Sequence, residues 1–528
     1  MTRSVLEDQR TVWIIAVIIF LLFLIGNLPW QLDDYDQAKQ AFTSFQMIKE
    51  GRWVYQQTPH ERVATKPPLV GCVSAGLFGL TRSWELSWRL PSLLSAIALA
   101  ILLFRAAESA YGPVAGLIAF GAFGLNLLSL RLATLVRTDM PLALVIFLIG
   151  LLFWKKIQAQ AEWTRGDRIY IFVLLIAAML IKGPIVYAFL LPGIALNAVA
   201  DVLWSMRTPR TARRLQAWPG PPQDGFAAAN WWPWIASLAV FLLWVLGGIL
   251  FKPGFLQEVV MREFLGRFGE TIHRPQPLYF YFPHLLHKFA PWSMLMIAIA
   301  LVDLYLRKWR LQSVIREIPP ETFWLLCWSL GGLVVMSLIP SKRVDRIFPV
   351  IPPLCLLLAA QIAARISCGH GSVRRSSNSS GSEQTVHRAV ATENALTRTY
   401  QWSAVALVLA ILFSGGYTIS KVISGYRHHR DALVIFGRDV RREASVNHWR
   451  YAVVSAKDEG LLLYLQKTHF IEPDYAITEW NRGNLDALVA STEKAPALMP
   501  QLQSRTLSPL KSTERTKEQG TSYVLITR

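Results

Sequence analysis

The fold of this chain is constrained above all by apolar runs, each long enough or nearly long enough to cross a bilayer, that recur over most of its length. A membrane-spanning helix needs roughly 20 consecutive apolar residues. The candidate spans are residues 12–30, 89–106, 113–130, 139–154, 169–183, 185–204, 231–251, 292–306, 321–339, 347–364 and 402–421. Only 17% of the residues are charged, against about a quarter in soluble domains. The pattern predicts a polytopic α-helical membrane protein.

Residues 67–80 form a further, shorter apolar segment that begins with two prolines, and it either lies in the interface plane or crosses the membrane. The expected total is about 11–13 transmembrane helices. If the segment lies in the plane and the N-terminus is cytoplasmic, the strongly basic loops share the cytoplasmic side, as the positive-inside bias requires. These loops contain residues 155–168, 207–214, 307–316 and 365–400. The net charge of +19 therefore has a cause other than nucleic-acid binding.

Composition divides the chain into a transmembrane domain, residues 1–421, and a C-terminal soluble domain, residues 422–528. Residues 31–88 form the first outer loop, in which we expect in-plane helices. Four elements are predicted in the soluble domain: strands at Tyr451–Ser455 and Tyr523–Thr527, and helices at Glu459–Lys467 and Asn484–Ser491. Because eleven spans end on the side opposite the N-terminus, we expect this small α/β domain on the periplasmic face of an inner membrane.

Charged residues at the points where the chain leaves the membrane predict a functional site. Asp36 and Lys39 follow the first apolar run, and a spacing of three places them on one face of a helix. Acids at such a position are costly unless water, a metal or a cation meets them. The alternative is a solvated helix cap at Asp36. On the functional interpretation, the carboxylate accepts a proton or holds a metal.

Three further exit points carry candidate residues, each with a structural alternative. Lys66 precedes two prolines and is held extended, either as a fixed charge for a phosphate or as an interface lysine. Asp139 comes before a proline, where it is either a site acid or a helix N-cap. Lys182 stands at a break in an apolar run, and an interface anchor is as plausible as a site residue.

Two more segments are rich in groups that bind anions or metals. One contains His273 and Arg274, although a lone histidine is more often a surface residue than a ligand. The other contains Lys342, Arg343 and Arg346 directly between two apolar spans. On the topology above, this basic cluster lies on the outer face, against the positive-inside bias. Anion binding is the simplest reason for such a placement.

The order of these motifs resembles that of polyprenyl-phosphate-dependent glycosyltransferases of the GT-C fold. The most similar groups are the lipid A aminoarabinose transferases and the protein O-mannosyltransferases. The motifs that carry the resemblance are Asp36-Gln-Ala-Lys39, Gly51-Arg-Trp53, Lys66-Pro-Pro68, Trp88-Arg-Leu-Pro91, Arg137-Thr-Asp139, Lys182-Gly183, His273, Ser341-Lys342 and Pro352-Pro353. The resemblance covers about residues 12 to 365 and implies a GT-C fold.

The resemblance implies a reaction in which an acceptor hydroxyl or phosphate of a lipid, protein or glycan attacks a sugar carried on a polyprenyl phosphate. A hexosyl or pentosyl group is transferred at the outer membrane face, and the lipid phosphate leaves. Asp36 matches the essential aspartate, as general base or orienter of the acceptor, and Asp139 matches a second acid. Lys66 matches a lysine that holds the donor phosphate. The cations expected around that phosphate are Lys39, Lys66, Lys182, Arg274, Lys342, Arg343 and Arg346.

The resemblance leaves a cofactor open. His273 matches a metal ligand, but Thr65 stands where the aminoarabinose transferases have a glutamate ligand, so that a divalent Zn, Mg or Mn ion and a purely cationic site are both alternatives. No glycine-rich nucleotide loop is present, which fits a lipid-linked donor. A transporter or flippase for an anionic lipid or lipid-linked sugar is the alternative function. The absence of two similar halves argues against a transporter.

Overall fold

The computed structural model describes residues 2–32, 35–205, 231–267, 275–309, 318–377, 383–456, 458–518 and 522–528. The helices up to residue 427 are α1 (Thr2–Glu7), α2 (Gln9–Ile25), α3 (Tyr35–Glu50), α4 (Leu69–Thr81), α5 (Trp84–Tyr111), α6 (Pro113–Gly124), α7 (Leu127–Leu132), α8 (Asp139–Ala159), α9 (Arg165–Lys182), α10 (Ile185–Ser205), α11 (Trp232–Phe251), α12 (Tyr281–Lys288), α13 (Trp292–Leu306), α14 (Pro320–Leu338), α15 (Ile351–Ser377) and α16 (Glu383–Arg427). A π-helix at Leu256–Phe264 and 3-10 helices at Leu265–Arg267, Leu278–Phe280 and Val344–Val350 lie between them. Every apolar segment predicted as a span falls largely on one of these helices.

Within the described ranges, six helices are long and apolar enough to cross a membrane, and a seventh span results if two helices joined at a 102° bend count as one. The six are Trp84–Tyr111, Asp139–Ala159, Trp232–Phe251, Pro320–Leu338, Val344–Ser367 and Thr397–Arg427. Four shorter apolar helices are Gln9–Ile25, Leu69–Thr81, Pro113–Gly124 and Ile185–Ala200. The predicted 11–13 spans thus exceed the number that meets these criteria. At 1.5 Å per residue, α4 is about 20 Å long, shorter than the roughly 30 Å hydrocarbon core, which favours an in-plane position.

Small residues let the membrane helices pack closely. A Cβ atom at Gly331 of α14 would lie 2.4 Å from the backbone nitrogen of Gly193 in α10. A Cβ atom at Gly150 of α8 would lie 2.2 Å from the indole of Trp328. Only glycine fits at these crossings, as is usual where membrane helices pack through their backbones. These contacts fix the helices whose ends carry the charged residues described below.

The C-terminal region contains α17 (Ala432–Val446), β1 (Tyr451–Val453), α18 (Glu459–Tyr464), α19 (Pro473–Asn481), β2 (Ala487–Ser491), α20 (Ala495–Leu498), a 3-10 helix (Met499–Gln501), β3 (Thr506–Leu507), α21 (Lys511–Glu518) and β4 (Tyr523–Thr527). The sheet order is β1-β2-β4-β3, with β1 and β2 parallel and the other pairs antiparallel. The predicted strands at 451 and 523 and the helix at 459 are present. The helix predicted at Asn484–Ser491 is wrong, because Ala487–Ser491 is the central strand β2.

The C-terminal region packs directly on the first outer loop. The Leu32 amide donates a 2.6 Å hydrogen bond to the Tyr464 hydroxyl, and a Cβ atom at Gly460 would lie 2.4 Å from the Leu32 carbonyl oxygen. One apolar cluster joins Phe42 and Phe45 of α3 to side chains of α17 and α18. The C-terminal region therefore lies on the same side of the helical domain as α3. The predicted boundary after residue 421 falls within the last turns of α16 and stays a prediction.

Candidate active site

A cavity of about 360 Å³ lies where the first outer loop, the ends of several membrane helices and the segment 343–346 meet. Seven predicted site residues line it: Asp36, Lys39, Lys66, Asp139, Lys182, Arg343 and Arg346. Eight basic and five acidic side chains line the cavity in all, an excess of three positive charges. Residues far apart in the sequence thus meet at one place, as their shared position at membrane exits predicts.

Asp36 is a site acid that lies beside two arginines. It lies in the first turn of α3, where a carboxylate is favoured by the helix dipole. Its Oδ2 atom pairs with the guanidinium of Arg343 and lies 3.7 Å from that of Arg137. Burial alone raises the pKa of this carboxyl, but the charges of Lys66, Arg343 and Arg137 outweigh burial and hold the pKa well below its usual range. Asp36 is therefore ionised in the cavity as it stands.

Arg137 joins two carboxylates at the centre of the cluster, a role that the sequence did not assign to it. Its side chain is only 5% exposed and makes a 2.8 Å ion pair with Asp345 in addition to its approach to Asp36. The backbone before it is held by Ser92, whose hydroxyl donates a 2.7 Å hydrogen bond to the Leu135 carbonyl oxygen. The motif containing Arg137 was visible in the sequence, but only the fold shows that the side chain turns inward.

Asp139 and Lys182 form a buried ion pair between two helix ends. Asp139 is the first residue of α8, and Lys182 is the last residue of α9. Both placements agree with the helix dipole, which favours an acid at an N-terminus and a cation at a C-terminus. The N-cap of α8 is Thr138 rather than Asp139, and the interface-anchor alternative for Lys182 stays a prediction. Both side chains line the cavity.

Lys66 and Lys39 bring two ammonium groups to the cavity wall. Burial lowers the pKa of Lys66, although the nearby charges of Asp36 and Asp139 act in the opposite direction. Burial also lowers the pKa of Lys39, against the raising effect of Glu459 in the C-terminal region. A buried cation that is only partly compensated gains most from an anionic ligand. These lysines are accordingly well suited to hold a phosphate.

The remaining predicted residues take other positions. The Lys342 ammonium donates a 2.8 Å hydrogen bond to the Gln276 carbonyl oxygen, and Lys342 is not among the side chains that line the cavity. His273 and Arg274 lie outside the described residues, so the roles predicted for them stay predictions. Additional lining side chains that the sequence analysis did not select are Arg62, Glu258, Arg262, Glu263 and Asp345.

The described residues around Asp36 do not by themselves form a donor set for a divalent metal. Among the described residues, no group of three or more histidine, cysteine or acidic side chains is arranged to hold one. The carboxylates that line the cavity face cations instead: Asp36 faces Arg343, Asp139 faces Lys182, and Glu258 makes a 2.8 Å ion pair with Arg262. A metal ion held with the help of His273 stays a prediction.

Comparison with known proteins agrees with the sequence motifs. No family model matches the chain. It is 27% identical over 367 residues to an undecaprenyl phosphate-alpha-4-amino-4-deoxy-L-arabinose arabinosyl transferase of Sodalis glossinidius, covering 67% of this chain and 60% of that protein. It is 26% identical to the Serratia proteamaculans protein of the same name, covering 66% of this chain and 58% of that protein. The chain thus spans about three fifths of the length of these curated relatives.

Solved structures show the fold over nearly the whole chain. ArnT from Cupriavidus metallidurans in the apo state superposes with a TM-score of 0.63 at 17% identity, covering 98% of both chains. The same protein bound to undecaprenyl phosphate gives a TM-score of 0.61 at 18% identity, covering 98% of this chain and 97% of that one. The chain is therefore an integral membrane protein with the GT-C fold of ArnT, similar in sequence to the undecaprenyl phosphate aminoarabinose transferases.

Proposed function

We propose that this protein is a glycosyltransferase that moves a sugar from a polyprenyl-phosphate donor, of the undecaprenyl phosphate type, to a hydroxyl or phosphate group of an acceptor. The observation that carries the proposal is the placement of Asp36 in a cavity whose wall holds Lys66, Arg137 and Arg343. One carboxylate beside several cations, of which Arg137 is buried, provides both an acceptor for a proton and a site for a phosphate. The relatives are named as transferases, which favours transfer over the transport alternative.

The donor phosphate binds at the cationic wall. The excess of three positive charges in the cavity favours a phosphate anion, and Lys66 and Arg343 lie on the same wall as Asp36. During transfer, the acceptor oxygen forms a bond to the anomeric carbon while the bond from that carbon to the phosphate oxygen breaks. The phosphate keeps the electron pair and leaves as an anion, so no general acid is needed. Preorganised cations stabilise this developing charge.

Asp36 takes the proton of the acceptor hydroxyl. In the cavity as described, its charge is compensated by arginine and lysine side chains, which makes it a weak base. When the donor phosphate draws these cations toward itself, the pKa of Asp36 rises toward its usual range. The carboxylate is then a better base at the moment when the leaving group is in place. The cavity thus couples donor binding to activation of the acceptor.

The positions of the domains support activity at the outer, periplasmic face of the inner membrane. The C-terminal region contacts α3, and Asp36 belongs to α3, so the site and the C-terminal region share one side. By the positive-inside bias, the basic loops in the sequence favour a cytoplasmic N-terminus and a periplasmic position for this shared side.

The decisive experiment replaces Asp36 with Asn in the purified full-length protein. The change keeps the shape of the side chain and removes its charge. We expect the rate of sugar transfer from the undecaprenyl-phosphate sugar to membrane acceptors to fall at least a hundredfold. Mass spectrometry of the lipids measures that rate. Glu514→Gln, at an exposed surface position, is the matched control. Transfer by the Asp36→Asn protein at the rate of the control would refute the mechanism.

A further inference from the structure

A second cavity, of about 560 Å³, lies between the first outer loop and the C-terminal region. Its walls come from residues 58–62 on one side and, on the other, from Ser455 after β1, Glu459 at the start of α18, and Phe470 and Glu472 before α19. Thr58 and Arg62 line this cavity and also the first one. The two cavities are therefore neighbours that share one wall, and a volume in the range of about 300–1,000 Å³ is typical of small-molecule sites.

A buried carboxylate without a full set of partners lines the second cavity. Glu459 is only 4% exposed, and its Oε2 atom has no hydrogen-bond partner among the described residues. Burial raises the pKa of Glu459 to about 7, although the charges of Lys39 and Arg62 oppose the rise. A buried polar atom without a hydrogen-bond partner destabilises the folded state. A ligand that donates a hydrogen bond to Glu459 is a direct physical reason for retaining it.

The rest of the wall differs in character from the first cavity. Glu61 and Glu472 add two more carboxylates, while Arg62 and His60 are the basic side chains among the described lining residues. The rings of His60 and Phe470, which both line the wall, stack on each other with centroids 5.1 Å apart. The second cavity thus combines hydrogen-bond acceptors with an aromatic face, whereas the first carries an excess of cations.

We propose that the second cavity binds the headgroup of the acceptor, and that this headgroup is a sugar with free hydroxyls and no phosphate. The proposal rests on the transferase function given above and names the acceptor class for it. Sugar hydroxyls donate hydrogen bonds to Glu459 and Glu472, and the ring lies against Phe470. A phosphate at this place would be repelled by the carboxylates of Glu61 and Glu472. The wall shared at Thr58 leads the reacting hydroxyl toward Asp36 in the first cavity.

The test uses the full-length protein in lipid nanodiscs and two probes of similar size, maltose and maltose 1-phosphate. Binding is followed by saturation-transfer difference NMR. We expect maltose to receive saturation and maltose 1-phosphate to receive at least fivefold less. Glu459→Gln and, independently, Phe470→Ala should each lower the maltose signal at least fivefold. Glu514→Gln, in α21, is the matched control and should leave it unchanged.

Binding of undecaprenyl phosphate to the same samples separates the two proposals. Every variant of the second cavity that is folded should still bind undecaprenyl phosphate, since Glu459 and Phe470 do not line the first cavity. Maltose bound equally by the Glu459→Gln protein and the control, or maltose 1-phosphate bound more tightly than maltose, overturns the assignment of the acceptor. Failure of the unmodified protein to bind undecaprenyl phosphate overturns the transferase proposal instead.

Discussion

Replacing Arg137 with methionine should destabilise the protein more than any other single loss of charge in the first cavity. The side chain is 5% exposed and pairs at 2.8 Å with Asp345, which is itself 6% exposed. Removing one partner of a buried ion pair costs about 3–5 kcal/mol, because the other charge stays buried without compensation. Arg131 lies 3.5 Å from the same Asp345 oxygen and retains part of that compensation. We therefore expect the lower end of the range, about 3 kcal/mol.

Arg131→Met is the matched control, because Arg131 contacts the same carboxylate but is 44% exposed. A half-exposed ion pair contributes about 0–1 kcal/mol. The measurement is the free energy of unfolding in mixed micelles, followed by tryptophan fluorescence as the denaturing detergent is increased. The Arg137→Met/Asp345→Asn double variant should recover part of the loss, since neither charge is then left alone. An equal decrease in the free energy of unfolding for Arg137→Met and Arg131→Met would refute the role given to the buried ion pair between Arg137 and Asp345.

Three further predictions follow from the same contacts. Lys66→Ala should weaken binding of undecaprenyl phosphate at least tenfold in a lipid-binding assay, whereas Lys49→Ala, at the last turn of α3, should not; equal affinities would contradict the phosphate role. The free energy of unfolding should fall by about 3 kcal/mol as pH rises from about 4.5 to about 7, because the raised pKa of Glu459 means that the folded state binds the proton more tightly than the unfolded state. In unfolding titrations, Glu459→Gln should abolish this dependence of the unfolding free energy on pH. Gly460→Ala should loosen the C-terminal region, because the new Cβ would lie 2.4 Å from the Leu32 carbonyl oxygen; unchanged limited proteolysis would count against this packing.

The helical scaffold was predictable because its determinants are local. An apolar run and the charges at its ends are readable without tertiary information, and each predicted span falls largely on a helix. The same reasoning brought Asp36, Asp139 and Lys182 to one place, since charges at membrane exits on one side must lie near a common surface. The number of helices that satisfy the length and hydropathy criteria is lower, because several helices are shorter than the apolar segments around them.

What the sequence missed depends on contacts between distant segments. The strand Ala487–Ser491 was predicted as a helix because it lacks the alternation of apolar and polar residues that marks a strand. In the structure, four of its five residues are buried. Nor does the sequence show which cations of the basic cluster at 342–346 face the cavity. Arg343 turns toward Asp36 while Lys342 turns toward a backbone carbonyl group. Which of two adjacent cations faces the cavity is set by the 3-10 helix that begins at Val344.

The two cavities together divide the electrostatic work of the proposed reaction. In the first cavity, basic side chains outnumber acidic ones, which favours binding of a phosphate. In the second cavity, acidic side chains outnumber basic ones, which disfavours it. A donor and an acceptor of different charge are thereby directed to different places before they meet. Lys39 lies in the first cavity and its pKa responds to Glu459 in the second. Charge brought into one cavity therefore changes the free energy of ionisation in the other, and Arg62, which lines both cavities, also acts on Glu459.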